Sequence, residues 1–101
     1  MKNHDIRPYE EIPEETREYS DFIVKISLLG DELGPVSCLE DRRIALHKAM
    51  AARYGLEYES TRGAVAMLEI GFRDVTNEKH VAMVLDQRMR NLKESSKSRL
   101  T

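Results

Sequence analysis

Apolar and polar side chains alternate over one short segment in the first third of the chain. In residues 22–28, Phe22, Val24, Ile26 and Leu28 share one face, and Ile23, Lys25 and Ser27 share the other. A period of two that is rich in β-branched residues predicts a β-strand. The Gly-containing stretch 30–35 then predicts a turn. Residues 36–39 could form a short return strand, giving a hairpin, or lead into a helix.

The pattern changes to a helical period after residue 40. Residues 40–54 carry Leu46 and Met50 at helical spacing, and Gly55 stands at the position of a C-terminal cap. A second helix, which Ser60 or Thr61 could cap, is expected to run to residue 72 and is apolar on nearly every side. Since a small chain cannot bury such a helix alone, this segment predicts an obligate homodimer.

A third helix is predicted from residue 76 or 77 to Leu92. Its apolar side chains form a single stripe, which makes the helix amphipathic. The members of the stripe include Val81, Val84, Leu85 and Met89.

Length and charge divide the chain into three parts. With 101 residues, it is expected to form one domain. Residues 1–40 hold ten acidic and four basic side chains, a net charge of −6, whereas residues 41–101 hold eight acidic and twelve basic ones, a net charge of +4. We therefore predict a flexible acidic arm at 1–20, a globular domain at 21–93 and a polar, basic tail at 94–101.

Composition and spacing argue against several classes of protein. No apolar run approaches the length of a transmembrane helix, and the first residues do not form a signal peptide, so a cytoplasmic location is expected. The single cysteine, Cys38, rules out an intramolecular disulfide, and no Cys or His pair has zinc-ligand spacing. No catalytic residue, metal or cofactor is predicted. An enzyme remains a third possibility only if Cys38 and His47 meet in space.

The order strand, helix, glycine turn, apolar helix resembles the ribbon-helix-helix DNA-binding proteins. The resemblance covers residues 22–72 and includes the Gly55-Leu56 end of the first helix and the Arg62-x-Ala64 step of the second. It implies a mostly α, α+β fold: a ribbon-helix-helix-like dimer with one strand or hairpin and an extra C-terminal helix. A small domain containing an unrelated helix pair, and a conventional helix-turn-helix, are the competing interpretations.

The resemblance also implies a way of binding DNA. Each monomer would donate a strand to a ribbon in the major groove, where Lys25 and Ser27 would contact base edges. The second helix would meet a phosphate through its first turn. The predicted DNA-binding residues, with two basic residues of the first helix included for phosphate neutralisation, are Lys25, Ser27, Arg42, Arg43, Ser60, Thr61 and Arg62.

Two functions follow from these patterns. The first is a small, non-enzymatic DNA-binding regulator. The alternative is a protein-binding adaptor or inhibitor that contacts its partner through the acidic arm and the stripe on the C-terminal helix.

Overall fold

The computed structural model describes residues 7–72 and 77–100, and these residues form four α-helices. The helices are α1 (Glu14–Leu29), α2 (Val36–Arg53), α3 (Tyr58–Gly71) and α4 (Glu78–Leu100). Short 3₁₀ turns at Tyr9–Glu11 and Gly30–Leu33 precede and follow α1. Within the described ranges there is no strand or sheet, so the chain is all-α there.

The predicted strand at 22–28 is wrong, because these residues are the second half of α1. Tyr19, Phe22 and Ile23 are buried and Ile26 is half-buried, which is the i, i+3, i+4, i+7 spacing of a helix face. The alternation that suggested a strand is a short piece of this longer helical pattern. The α+β fold and the ribbon-helix-helix architecture are therefore corrected to a small all-α fold.

Residues 36–39 lead into a helix and are not a return strand. Pro35 precedes the first residue of α2, and its carbonyl accepts a hydrogen bond from the Leu39 amide at 3.1 Å. Proline is favourable at a helix start because the first amides have no partner within the helix. The chain reverses before this point through Gly34, whose φ of 123° lies in a region that side chains rarely adopt.

The hydrophobic core lies where α1 packs against α2 and α4. Each helix contributes fully or almost fully buried side chains, including Tyr19 and Phe22 from α1, Met50 from α2, Val65 from α3, and Val81, Leu85 and Met89 from α4. The apolar stripe predicted on the C-terminal helix is thus the face that attaches α4 to the rest of the chain. Burial of these side chains is the main favourable contribution to folding.

Helices extend past both boundaries of the predicted domain at 21–93. Thr16, Tyr19 and Ser20 belong to α1 and are buried, although their sequence placed them in the acidic arm. Helix α4 continues beyond Leu92 to Leu100. Residues 1–6 of the arm and Thr101 of the tail lie outside the described residues.

Helix α3 is apolar on two sides, but only one side is covered by its own chain. Val65 is fully buried, whereas Met67 and Ile70 are 71% and 64% exposed. The sequence predicted that α3 is apolar on nearly every side. In the structure, one apolar face of α3 lies in the core and another is exposed to solvent.

Candidate functional site

A groove between α1, α2 and α3 combines an apolar lining with charged side chains. It consists of two depressions that share Ile26 and Arg43. One, of about 330 Å³, is also lined by Gly30, Asp31, Val36, Leu39 and Glu40. The other, of about 600 Å³, is also lined by Ser27, Ala66, Glu69 and Ile70. We call the two depressions together the α1–α2–α3 groove.

The apolar wall of this groove depends on how α1 ends and α2 begins. Gly30 accepts a φ of 52° and ends α1, and Pro35 starts α2 five residues later. Val36 therefore occupies the first position of α2, where the chain does not cover it, and it remains 77% exposed. Together with Leu39 and Ile26, the exposed side chain of Val36 forms the apolar floor and rim of the groove.

Glu69 is the central acidic group of the groove. The Tyr19 hydroxyl donates a hydrogen bond to one of its carboxylate oxygens, and Arg43 Nη1 lies 3.6 Å from the other. Burial raises the pKa of Glu69 to about 7. The guanidinium of Arg43 also donates to Glu40, and that hydrogen bond lowers the pKa of Glu40. Glu69 is thus a partly buried carboxyl that titrates near neutrality.

His47 lies behind the groove and supports α3 from within. Its Nε2 is 2.7 Å from Thr61 Oγ1, and the Thr61 hydroxyl donates to the Tyr58 carbonyl at 3.2 Å. With the hydroxyl proton engaged in this way, we assign the imidazole proton to Nε2, which donates to Oγ1. Burial, together with the charge of Arg43, lowers the pKa of His47 to about 4. The imidazole is neutral, and its buried Nδ1 has no hydrogen-bond partner in the described part of the chain.

A second polar cluster, around Asp86, is buried away from the groove. Asp86 accepts two hydrogen bonds from Arg7, at 2.9 and 2.5 Å, one from Tyr54 at 2.6 Å and one from Arg90 at 3.1 Å. Although burial alone would raise the pKa of Asp86, the donors Arg7 and Tyr54 hold it below its ordinary value. These donors satisfy the hydrogen-bonding capacity of the Asp86 carboxylate, so the cluster stabilises the fold.

The structure distributes the seven predicted DNA-binding residues over several surfaces. Thr61 is fully buried and cannot contact a ligand, whereas Ser60 is exposed in the first turn of α3. Ser27 and Arg43 line the α1–α2–α3 groove, and Lys25 and Arg42 line a different depression beside Glu18 and Asp21. The ribbon that would have presented Lys25 and Ser27 to base edges does not form, because both residues belong to α1.

Most of the basic residues among these seven already face carboxylates. Lys25 is 3.0 Å from Asp21, Arg62 is 3.6 Å from Glu59, and Arg43 lies between Glu40 and Glu69. The Arg42 guanidinium lies over the Phe22 ring at 5.5 Å. The local positive potential that phosphate binding requires is therefore largely offset.

The α4 stripe and the pair of Cys38 and His47 were the other features predicted to take part in function. Val81, Leu85 and Met89 are fully buried and Val84 is half-buried, so α4 does not offer this stripe to a partner. Cys38 is exposed in the first turns of α2, and His47 is buried nine residues later on the same helix, about 13 Å along its axis. The two cannot form a nucleophile–base pair. Among the described residues no group of three metal-ligating side chains converges.

Sequence reasoning missed the residues that give the groove its character, namely Val36, Glu40, Glu69 and Ile70. Glu69 carried a signal, since it is the one acid in the otherwise apolar stretch 63–72. Val36 carried none, because its exposure depends on where α2 begins.

Comparisons with known proteins do not indicate a function for this chain. No family model matches the chain, and no curated protein or solved structure is significantly similar to it. None of the helices within residues 7–72 and 77–100 has the length and apolarity needed to cross a bilayer.

Proposed function

We propose that this protein is a non-enzymatic, protein-binding adaptor that takes an amphipathic, basic segment of a partner into the α1–α2–α3 groove. The observation that carries the proposal is the combination of an apolar wall with an excess of acidic groups. Ile26, Val36 and Leu39 supply the wall. Asp31, Glu40 and Glu69 line the same two depressions, in which Arg43 is the one basic lining residue among those that the structure describes.

The charge balance favours a basic partner. Arg43 is already held by Glu40 and Glu69, so the carboxylate of Asp31 and part of the charge on the other two acids remain for an incoming lysine or arginine. An apolar segment with basic flanks would bury its apolar side against the wall and place its charges on the acidic rim. A protein partner is also the alternative function predicted from the sequence. Because the α4 stripe is buried, we propose the groove as the contact surface in its place.

The test uses a designed helical peptide with leucines on one face and lysines flanking that face, and a second peptide in which every lysine is replaced by glutamate. Titrations are followed by fluorescence anisotropy. We expect the lysine peptide to bind at least about tenfold more tightly than the glutamate peptide, because each well-placed charge pair contributes on the order of 1 kcal/mol.

Two variants locate the binding surface. Val36→Ser removes an apolar wall residue that is not needed for folding and should weaken binding of the lysine peptide. Leu28→Ser is the matched control, because Leu28 is 59% exposed and lines neither depression. Equal binding of both peptides, or equal loss in both variants, would contradict the proposal.

A further inference from the structure

The outer face of α3 is apolar, exposed and not covered by its own chain. Gly63, Ala66, Met67 and Ile70 follow the i, i+3, i+4, i+7 spacing that places side chains on one helix face. Met67 and Ile70 are 71% and 64% exposed, whereas Val65, on the opposite face, is fully buried. Exposed large apolar side chains that form a continuous stripe indicate an interaction surface.

We propose that a second copy of this chain covers this face, with the two α3 helices antiparallel about a two-fold axis between Ala66 and Met67. The stripe is small in its N-terminal half, at Gly63 and Ala66, and large in its C-terminal half, at Met67 and Ile70. An antiparallel pair therefore sets Ile70 of each copy over Gly63 of the other, and Met67 over Ala66. A parallel pair would instead place Ile70 beside Ile70 and leave a gap between the glycines.

Gly63 is explained better by this contact than by the chain's own packing. A Cβ added at Gly63 would meet no atom of the described chain within 4 Å, so no close internal contact requires a glycine. A mid-helix glycine nevertheless costs roughly 1 kcal/mol relative to alanine. Close approach of a side chain from a second copy would explain why this position has no Cβ.

Charge at the edge of the stripe favours the same arrangement. Arg62 and Glu69 are seven residues apart, on the same edge of α3, with Arg62 towards the start of the stripe and Glu69 towards its end. Antiparallel pairing brings Arg62 of one copy to the level of Gly71 of the other, which is two residues or about 3 Å along the axis from Glu69, whereas parallel pairing leaves Arg62 and Glu69 about 10 Å apart along the axis. Arg62 is available for this contact because its side chain is 62% exposed and its pairing with Glu59, at 3.6 Å, is a weak surface contact.

Disulfide cross-linking of single-cysteine variants tests the arrangement. The variants are made in a Cys38→Ser background so that each chain has one thiol. Ala66→Cys lies next to the two-fold axis and should cross-link to itself under mild oxidation. Gly63→Cys and Ile70→Cys should each fail to cross-link alone, since their thiols are about 10 Å apart along the axis, but should cross-link when the two variants are mixed.

The alternatives give different patterns. A parallel dimer cross-links Gly63→Cys and Ile70→Cys separately and not as a mixture. Ala45→Cys, on an exposed part of α2, is the matched control and should stay monomeric in the gel. Absence of the mixed product would overturn the proposal.

Sedimentation and peptide binding separate this proposal from the function proposed for the groove. Wild-type protein should show a concentration-dependent monomer–dimer equilibrium, and Met67→Glu should raise the dimer Kd by at least about tenfold. Because Ala66 and Ile70 also line the groove, peptide binding is measured at protein concentrations below the dimer Kd. Under that condition Met67→Glu, which changes a residue outside the groove lining, should leave binding of the lysine peptide unchanged, whereas Val36→Ser should weaken peptide binding without changing the dimer Kd. A wild-type protein that stays monomeric at all concentrations would overturn the dimer and leave the groove proposal standing.

Discussion

At the scale of single residues, Glu69 and His47 have opposite effects on stability as the pH changes. Glu69 has a folded pKa of about 7 against an ordinary 4.5, so the folded state holds an additional proton between these values and stability falls as the pH rises. His47 has a folded pKa of about 4 against an ordinary 6.5, so the unfolded state holds the additional proton and stability rises with pH. Between pH 4.5 and 6.5 the two slopes cancel.

We therefore predict that the free energy of unfolding of the wild-type protein changes little between pH 4.5 and 6.5. In Glu69→Gln only His47 contributes to the pH dependence, and the free energy of unfolding should rise by about 1.4 kcal/mol per pH unit. In His47→Gln only the Glu69 slope remains, and stability should fall by a similar amount. Urea denaturation at several pH values measures all three, and two variants with parallel slopes would contradict the assignment.

These pKa values could not be predicted from the sequence. The isolated acid in α3 was visible, but its burial depends on Tyr19 of α1 and its charge balance on Arg43 of α2. The burial of His47 could not be predicted, because nothing in its neighbours along the chain indicates that Thr61 and Tyr58 enclose it. Such shifts arise from groups that only the tertiary fold brings together.

At the scale of helices, α3 and the turn before α2 were predicted better than α1. The apolar run and Gly55 placed α3 within a few residues of its observed ends, and the glycine-rich stretch was identified as a turn. The strand prediction failed because residues 22–28 satisfy both a period of two and a helical period. Tyr19 and Thr16 extend the helical pattern towards the N-terminus, but the prolines, the glutamates and the few apolar side chains of residues 1–20 predicted a flexible arm there.

Two glycines in these elements should respond in opposite ways to alanine. Gly34→Ala should destabilise the protein by roughly 1–3 kcal/mol, because its φ of 123° is strained for any side chain although no neighbour would clash. Gly63→Ala should stabilise the monomer by up to about 1 kcal/mol, since its helical backbone suits alanine and the space is open. Thermal denaturation of both variants at low protein concentration checks the prediction. A loss of stability in Gly63→Ala would mean that an internal contact requires the glycine.

At the scale of the whole molecule, the carboxylate of Asp86 joins parts of the chain that are far apart in sequence. Arg7 lies 79 residues from it, and Tyr54, 32 residues away, passes the network on to Thr16 of α1 through a contact of 2.7 Å. One side chain of α4 therefore holds the N-terminal segment and α2 directly and α1 through Tyr54.

Loss of this carboxylate should be among the most damaging single changes. We expect Asp86→Ala to lower the free energy of unfolding by about 3–5 kcal/mol, because it leaves a charged guanidinium and a buried hydroxyl without their acceptor. Asp86→Asn should cost less, since an amide oxygen still accepts from Tyr54. Glu94→Gln, exposed on the same helix, is the control and should be nearly neutral. Chemical denaturation measures the three, and a neutral Asp86→Ala would show that the network adds nothing to stability.

The packing of α1 against α4 has a consequence for synthesis on the ribosome. The apolar face of α1 is complete once Ile26 has been added, but the α4 side chains that cover it, from Val81 to Met89, are made about 55 to 63 residues later. At roughly 5–20 residues per second, the nascent chain carries this face uncovered for several seconds. During that interval α2 is the first partner available, so an α1–α2 hairpin is the natural early intermediate, and chaperones that bind apolar helices have their best opportunity before α4 emerges.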